Sequence, residues 1–530
     1  MSIFERFRRS ERGNVATMFA LALVPVFGVV GAAIDYARVS EVRAQLADAL
    51  DAGVLAVGSQ PNMTDDEAYE IINDWITAHL GDKYTGMWKL DSATVGEDGS
   101  IVATASGSVD TTMARVLGIY EMPISVTSEA IRSLGKVEVA LVLDNTGSMK
   151  GTKLTKLKEA ATALVESLAE STTEPEDLRI ALVPFSQTVR LSDDQTVLNG
   201  YKADSWIDKD AKSSIHDDIF TKDDGTTYTT NINRFTHFST MKVNWAGCIE
   251  SRAYPYDVEE TPPDSGNPDT LYVPYFAPDE PDDKYKKKGK WYSVYNNNYL
   301  TDKSSDDEWK GKQGNPAKYA SKWNGKSGDT DILGYIYGPN SGCELEPIVR
   351  LSDDGTEDSL DAIYDAIDDM VAIGNTHINV GLQWGWHVLS PNEPFGDGIA
   401  YDDKDWNKVV VLMTDGNNAN TDTDSDNKNR SVYSGYGYNW QERFGEKTND
   451  DDERTEQLDE RLTELCDNMK AEDVGIVIYT VRVEVKDGSA AALEGCATED
   501  KYFYEVADIN DLEEAFADIG GSIQKLRLSK

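Results

Sequence analysis

The chain has 530 residues, enough for two or three domains, and 40% hydrophobic with 27% charged residues is the composition of a folded protein. Asp and Glu outnumber Lys and Arg by 94 to 51, a formal charge of −43, and no basic stripe offsets it, which argues against nucleic acid as a partner. Five histidines without zinc-ligand spacing and four cysteines without a Cys-x-x-Cys pair argue against a zinc hydrolase or a thiol oxidoreductase and leave oxygen-ligated metals open.

Residues 1–12 carry Arg6, Arg8, Arg9 and Arg12, and 22 residues without a charge follow, from Gly13 to Ile34. Roughly 20 such residues cross a bilayer, whereas the apolar core of a cleaved signal runs only ~7–15, so a retained transmembrane helix is expected over 13–35. Pro25 is tolerated in a spanning helix. The arginines before the run and Asp35 after it place 1–12 in the cytoplasm and the bulk of the chain outside the inner (plasma) membrane. Met18 stands where a prepilin-type cut after Gly13 wants Glu, so no such cut is expected. Val39, Val42, Leu46, Leu50, Val54 and Val57 form one helical stripe that carries the helix to about Gly58. A short helix over 65–80 and strand-like runs at 100–108 and 122–126 complete a pilin-like α+β segment, 36–134.

From 135 to 530, nearly all-apolar runs alternate with amphipathic stretches. Strands are predicted at 137–143, 178–185, 409–413, 476–483 and 502–506, with helices at 153–168, 360–371, 378–389, 454–470 and 512–526. That alternation gives an α/β fold with an open, doubly wound, mostly parallel sheet, whose ligands gather at the carboxyl ends of the strands. Two insertions interrupt it, at 192–345 and 417–452. The first holds 13 of the 25 tyrosines and reads as loop-rich but ordered, with mobile tips at 277–283 and 296–298. The four cysteines allow three pairings. Cys248–Cys343 and Cys466–Cys496 are expected, because each closes a loop within one region and an oxidising compartment permits both.

The chemistry lies in three loops. The strand 137–143 runs into Asp144-Asn145-Thr146-Gly147-Ser148, Gly374-Asn375-Thr376 precedes a helix, and Thr414-Asp415-Gly416 follows a buried strand. All fall at the carboxyl edge of the predicted sheet. Two carboxylates, Asp144 and Asp415, with three hydroxyls, Thr146, Ser148 and Thr376, suit a small hard cation: Mg²⁺ first, with Mn²⁺ or Ca²⁺ as alternatives. Asp422, Asp424 and Asp426 alternate like a calcium loop, but Asn427 and Tyr433 stand where Gly and Glu are needed, so they read as a solvated acidic loop. The Lys286–Lys288 run is too short and too outnumbered by acids for a polyanion site, and Trp384 and Trp386 read as packing.

The DxTGS loop, the separated Thr376 and the TDG after a strand resemble a von Willebrand factor type A domain, over about 137–191 and 347–526. The resemblance implies a metal-ion-dependent adhesion site, with direct hydroxyls from Thr146, Ser148 and Thr376 and with Asp144 and Asp415 bonding the metal or its waters. His377 stands where that family commonly has Asn or Asp. The opening ERGNVATMFALALVPVFGVVGAAIDYARV, the cysteine-bearing WAGC and the closing IGGSIQKLRLSK resemble the TadE/TadG-like proteins of bacterial tight-adherence (Flp) pili. That resemblance implies an inner-membrane component of pilus assembly or anchoring, in contact with pilus subunits or other envelope proteins through a partner's acidic side chain. It implies binding rather than catalysis. Two rival functions are a surface adhesin that touches host or matrix material through the aromatic insertion, and a metal-dependent hydrolase. The hydrolase lacks a general base or nucleophile beside the loops other than His377.

Overall fold

The computed structural model describes residues 12–530 apart from 59–62, 82–83, 97–99, 132–134, 173, 221–231, 303–307, 321–336, 421–426, 447, 449, 486–489 and 529–530. The arginines before residue 12 and the acidic loop with Asp422, Asp424 and Asp426 lie outside the described residues. The chain divides into two compact units, Met1–Leu134 and Gly135–Lys530.

In the first unit one helix runs unbroken from Arg12 to Gly58 through Pro25. Among the described residues it is the one helix long and apolar enough to cross a membrane. Its two halves differ. Phe19, Leu21, Phe27 and Val29 are each two-thirds or more exposed, a bare apolar surface of the kind lipid covers. Beyond Asp35 the stripe Val39, Val42, Leu46, Leu50, Val54 and Val57 is buried. It packs on the helix Asp65–Leu80 and on an antiparallel sheet of β1 (Trp88–Val95), β2 (Ser100–Asp110) and β3 (Glu121–Ile131). Asp35 marks the change: its carboxylate accepts the backbone N–H groups of Thr112, Met113 and Ala114 at 2.7–3.1 Å. Thr64 and Glu67 cap the shorter helix reciprocally.

The second unit holds a five-stranded, all-parallel sheet. Its strands are β4 (Lys136–Asp144), β5 (Leu178–Phe185), β10 (Trp406–Thr414), β11 (Val477–Val483) and β12 (Phe503–Val506), in the order β12-β11-β10-β4-β5. The chain leaves β4 for β5 on one side and reaches β10 on the other, so the sheet's switch point lies between β4 and β10. Alternation along each strand builds two cores. Val137, Val139, Leu141, Val409, Val411 and Val481 face the helices Thr152–Glu170, Glu357–Asp369 and Leu512–Leu528. Ala140, Val142, Val183, Phe185 and Leu412 face the helices Ile378–Leu389 and Asp451–Lys470. Trp384 and Trp386 are buried in that second core.

The insertions belong to the second core. They include β6 (Val189–Arg190) paired with β7 (Cys248–Ile249), and a hairpin of β8 (Lys284–Lys287) and β9 (Lys290–Ser293). Trp206, Trp245, Tyr272, Tyr275 and Phe276 are buried with the sheet residues. The 277–283 and 296–298 stretches, expected as mobile tips, are largely buried. Glu280 accepts the N–H groups of Asn296 and Asn297 at 2.9 and 2.6 Å, the Tyr438 hydroxyl at 3.0 Å and the Asn429 amide at 3.2 Å. Asp279 accepts the N–H groups of Tyr299 and Leu300 and pairs with Lys318. Carboxylates thus satisfy backbone donors that no strand satisfies, because turn-forming sequence leaves them without ladder partners. Tyr438 and Asn429 tie the second insertion to the first, as do Tyr433 and Arg443, both bonded to Glu250. The disulfides join Cys248 to Cys343 and Cys466 to Cys496.

The helix Ile378–Leu389 can lie this close to the sheet because it carries Gly381 and Gly385. A Cβ on Gly381 would stand 2.4 Å from Phe185 Cγ, and one on Gly385 would stand 2.5 Å from Val142 Cγ2. Gly381→Ala is expected to lower stability by about 1–3 kcal/mol, since Phe185 is buried and cannot swing clear. Thermal unfolding checks this; an unchanged melting temperature would contradict the close packing.

Candidate functional site

β4 and β10 are neighbours in register, with Met413 beside Leu143, so Asp144 and Thr414 end adjacent strands at the same level. From Val139 and Val409 onward each strand is apolar up to its last residue and then turns abruptly into a polar loop. After Asp144 the chain makes a single turn of 3-10 helix, Gly147–Met149, before the helix that starts at Thr152. After Thr414 it enters Asp415-Gly416.

The side chains of these loops form one hydrogen-bonded series. Asp144 Oδ1 accepts the Thr146 N–H at 2.7 Å, and Asp144 Oδ2 accepts the Thr414 hydroxyl at 2.6 Å. Thr146 Oγ1 and Ser148 Oγ are 2.9 Å apart, and the Ser148 hydroxyl donates to Asp415 Oδ1 at 2.6 Å. Asp144, Thr146, Ser148 and Asp415 are therefore brought together through direct contacts. Thr376 joins them through its backbone and neighbours. Gly147 N–H donates to Gly374 O at 3.0 Å, Ile373 N–H to Asn145 O at 2.7 Å, and Ala419 N–H to Thr376 O at 2.8 Å. Thr376 Oγ1 itself lies 3.6 Å from where a Cβ on Gly416 would stand.

Asp144 is fully buried and the Asp415 side chain is fully shielded from solvent. Burial, and after it the charge of Asp415, push the Asp144 carboxyl up to about 6, against the hydrogen bonds from Thr146 and Thr414. Among the described residues one counter-charge touches the pair. Lys153 Nζ, from the first turn of the helix Thr152–Glu170, donates to Asp415 Oδ2 at 2.7 Å and stands 3.6 Å from Glu484. Burial works against its charge, but Asp415 outweighs it and holds the ammonium above its usual range. Sequence reasoning missed Lys153. The available signal was its place in the first turn of the helix that the Asp144 loop opens.

The surroundings add unsatisfied polarity. Both side-chain polar atoms of Asn145, the Ser186 hydroxyl and both ring nitrogens of His377 are buried without a partner. His377 stacks on Tyr436, and burial lowers its ring to about 3, so it is neutral. It does not take part in the hydrogen-bonded series. Among the described residues no group of three or more His, Cys, Asp or Glu side chains could hold a metal ion. The constellation instead combines two carboxylates with hydroxyls, a donor set matching a hard cation rather than zinc.

Residues 13–60 match the Tad family model, described as Flp pilus-assembly TadE/G-like, and residues 138–241 match the von Willebrand factor type A domain. No curated protein sequence matches the chain. Among solved structures, similarity is found to the pilus adhesin SpaC of Lactobacillus rhamnosus GG, at 10% identity and a TM-score of 0.33, over 84% of this chain and 35% of that one. The chain thus spans about a third of the length of SpaC. The vWF domain of the type V pili tip protein Mfa5 from Porphyromonas gingivalis is similar at 10% identity and a TM-score of 0.31, over 74% of this chain and 95% of that one. The PilB minor pilin from Streptococcus sanguinis is similar at 12% identity and a TM-score of 0.31, over 83% and 78%. The chain joins a TadE/G-like pilus-assembly segment at its N-terminus to a von Willebrand factor type A domain.

Proposed function

We propose that this protein is a membrane-anchored, extracytoplasmic component of pilus assembly or anchoring that grips a partner protein through a divalent cation. The observation that carries the reading is the series Asp144–Thr146–Ser148–Asp415 at the switch point of the sheet, with two shielded carboxylates served by one lysine. Asp144, Thr146, Ser148, Thr376 and Asp415 would hold the ion, Mg²⁺ by the hardness of the donors, with Mn²⁺ or Ca²⁺ as substitutes. When bound, such an ion offers an open coordination position to a partner's carboxylate. The chain's own residues do the rest. Thr146, Ser148 and Thr376 would offer hydroxyl oxygens, Asp144 and Asp415 would supply charge, and Lys153 holds the second oxygen of Asp415. The buried, unpartnered Asn145 amide beside Asp144 fits a site completed by an ion and its waters.

The N-terminal arginines, the exposed apolar face from Phe19 to Val29 and the two disulfides support an N-terminus in the cytoplasm and a bulk outside it. The adhesin reading rests on the aromatics of the first insertion. Most of them are core, so removing 192–345 would unfold the domain, and the two readings are separated instead by point changes at the metal loops.

Asp144→Asn keeps the shape of the site and the bond from the Thr146 N–H, reverses the bond to Thr414, whose hydroxyl can donate to Gly416 O instead, and removes one of two buried like charges. In chelator it is expected to melt a few degrees above the wild type; in Mn²⁺ titration calorimetry it is expected to lose affinity by at least about tenfold. A lower melting temperature together with unchanged Mn²⁺ affinity would contradict the assignment. Crosslinked capture from membranes tests the function. One envelope protein is expected to copurify with the wild type and to be lost in EDTA and with Asp415→Ala. Capture that survives both would show that the ion is not used for binding.

A further inference from the structure

The hairpin of β8 and β9 stands out against a chain of charge −43. Lys284, Lys286, Lys287, Lys288 and Lys290 crowd into seven residues, and all five are exposed. Among the described residues none of them forms an ion pair, whereas Lys312 and Lys318 near the hairpin's base are paired with Asp283, Asp302 and Asp279. At the tip, Lys288 and Gly289 have φ of 50° and 80°, a turn that favours Asn-Gly, so a lysine occupies a position its backbone disfavours. Trp291 is 65% exposed and Tyr292 43% exposed. The register pairs Lys286 with Trp291 and Tyr285 with Tyr292, which puts an aromatic and lysines on both faces. Lys286 Nζ stands 5.8 Å from the Trp291 ring centre. The base is held by Val294 N–H to Asp283 O at 2.9 Å.

We propose that this hairpin docks on a bilayer surface rich in anionic phospholipid. A flat protein partner would cover one face of a two-stranded ribbon and leave the other aromatic in water. A headgroup layer surrounds the tip on all sides, with Trp and Tyr at the depth they favour and lysines on the phosphates. The acidic body does not cancel the attraction. Four residues per strand reach ~13 Å, beyond the Debye length of ~8 Å at physiological salt, so a surface meets the tip before it meets the body's field. Lys286–Lys288 adjoin in sequence, and the hairpin's turn adds Lys284 and Lys290 to them, none of the five ion-paired among the described residues.

The test uses the full chain in nanodiscs of zwitterionic phosphatidylcholine, kept in EDTA so that the cation site plays no part. The nanodiscs are floated with vesicles of phosphatidylcholine alone or with roughly a third phosphatidylglycerol. Capture by the anionic vesicles only, reversed at high salt, is expected. The triple change K286S/K287S/K288S should weaken capture on the order of a hundredfold and Trp291→Ser about tenfold. Because these side chains lie outside both cores, melting temperatures should not move, which keeps a loss of capture interpretable. Equal capture by both vesicles, or capture unchanged in the variants, would overturn the proposal. So would lysine-dependent association of nanodiscs with one another in the absence of vesicles, which would identify the acidic surface of a second copy as the partner.

Discussion

Two carboxylates of like charge, one at the end of β4 and one just past the end of β10, lie where water does not reach. Asp144 and Thr414 end β4 and β10 at one level and Asp415 follows directly, so the parallel register brings both acids to the same sheet edge. In a low-dielectric setting such a pair is costly unless cationic charge is supplied. The structure supplies half of it through Lys153 and leaves the Asp144 carboxyl raised. The proposed function follows from that unfinished neutralisation: a divalent ion would complete it, and a partner's carboxylate would complete the ion.

The same economy of charge governs the insertions. Glu280, Asp279 and Glu250 are buried, yet each is surrounded by backbone N–H groups, tyrosine hydroxyls or paired cations. Those carboxylates hold loops that lack strand ladders, although burial still pushes Asp279 up to about 7 and raises Glu280. What sets the pair at the sheet edge apart is the series through the Thr146 and Ser148 hydroxyls that joins them and the buried, unpartnered Asn145 amide beside them. The disulfides Cys248–Cys343 and Cys466–Cys496 secure the insertion and the helix Asp451–Lys470 in turn.

How much of this was legible in the sequence depended on the range of the interaction. The four longer strands of the sheet were visible because strands buried on both faces are written as nearly continuous apolar runs, as in VEVALVL. The half-buried edge strand Phe503–Val506 showed instead through its aromatic and β-branched residues. The stripe from Val39 to Val57 was visible through its helical period, and the three oxygen-bearing loops through their place directly after strands or before helices. The strand Trp88–Val95 was not seen, since its one buried face alternates weakly between Leu90 and Ala93. The burial of 277–283 was illegible for another reason. Asp and Pro announce turns, and nothing local reveals that Glu280 will meet donors on Asn297, Asn429 and Tyr438, up to 158 positions away. Lys153 and Asp415 are likewise 262 positions apart, so only the fold joins them.

The most direct measurement is anomalous scattering from crystals of the Gly135–Lys530 unit grown or soaked in Mn²⁺. One strong peak is expected in contact with Ser148 Oγ and bounded by Thr146, Thr376, Asp144 and Asp415. A crystal that takes up Mn²⁺ elsewhere while this cluster keeps its direct Ser148–Asp415 hydrogen bond and shows no peak would contradict it.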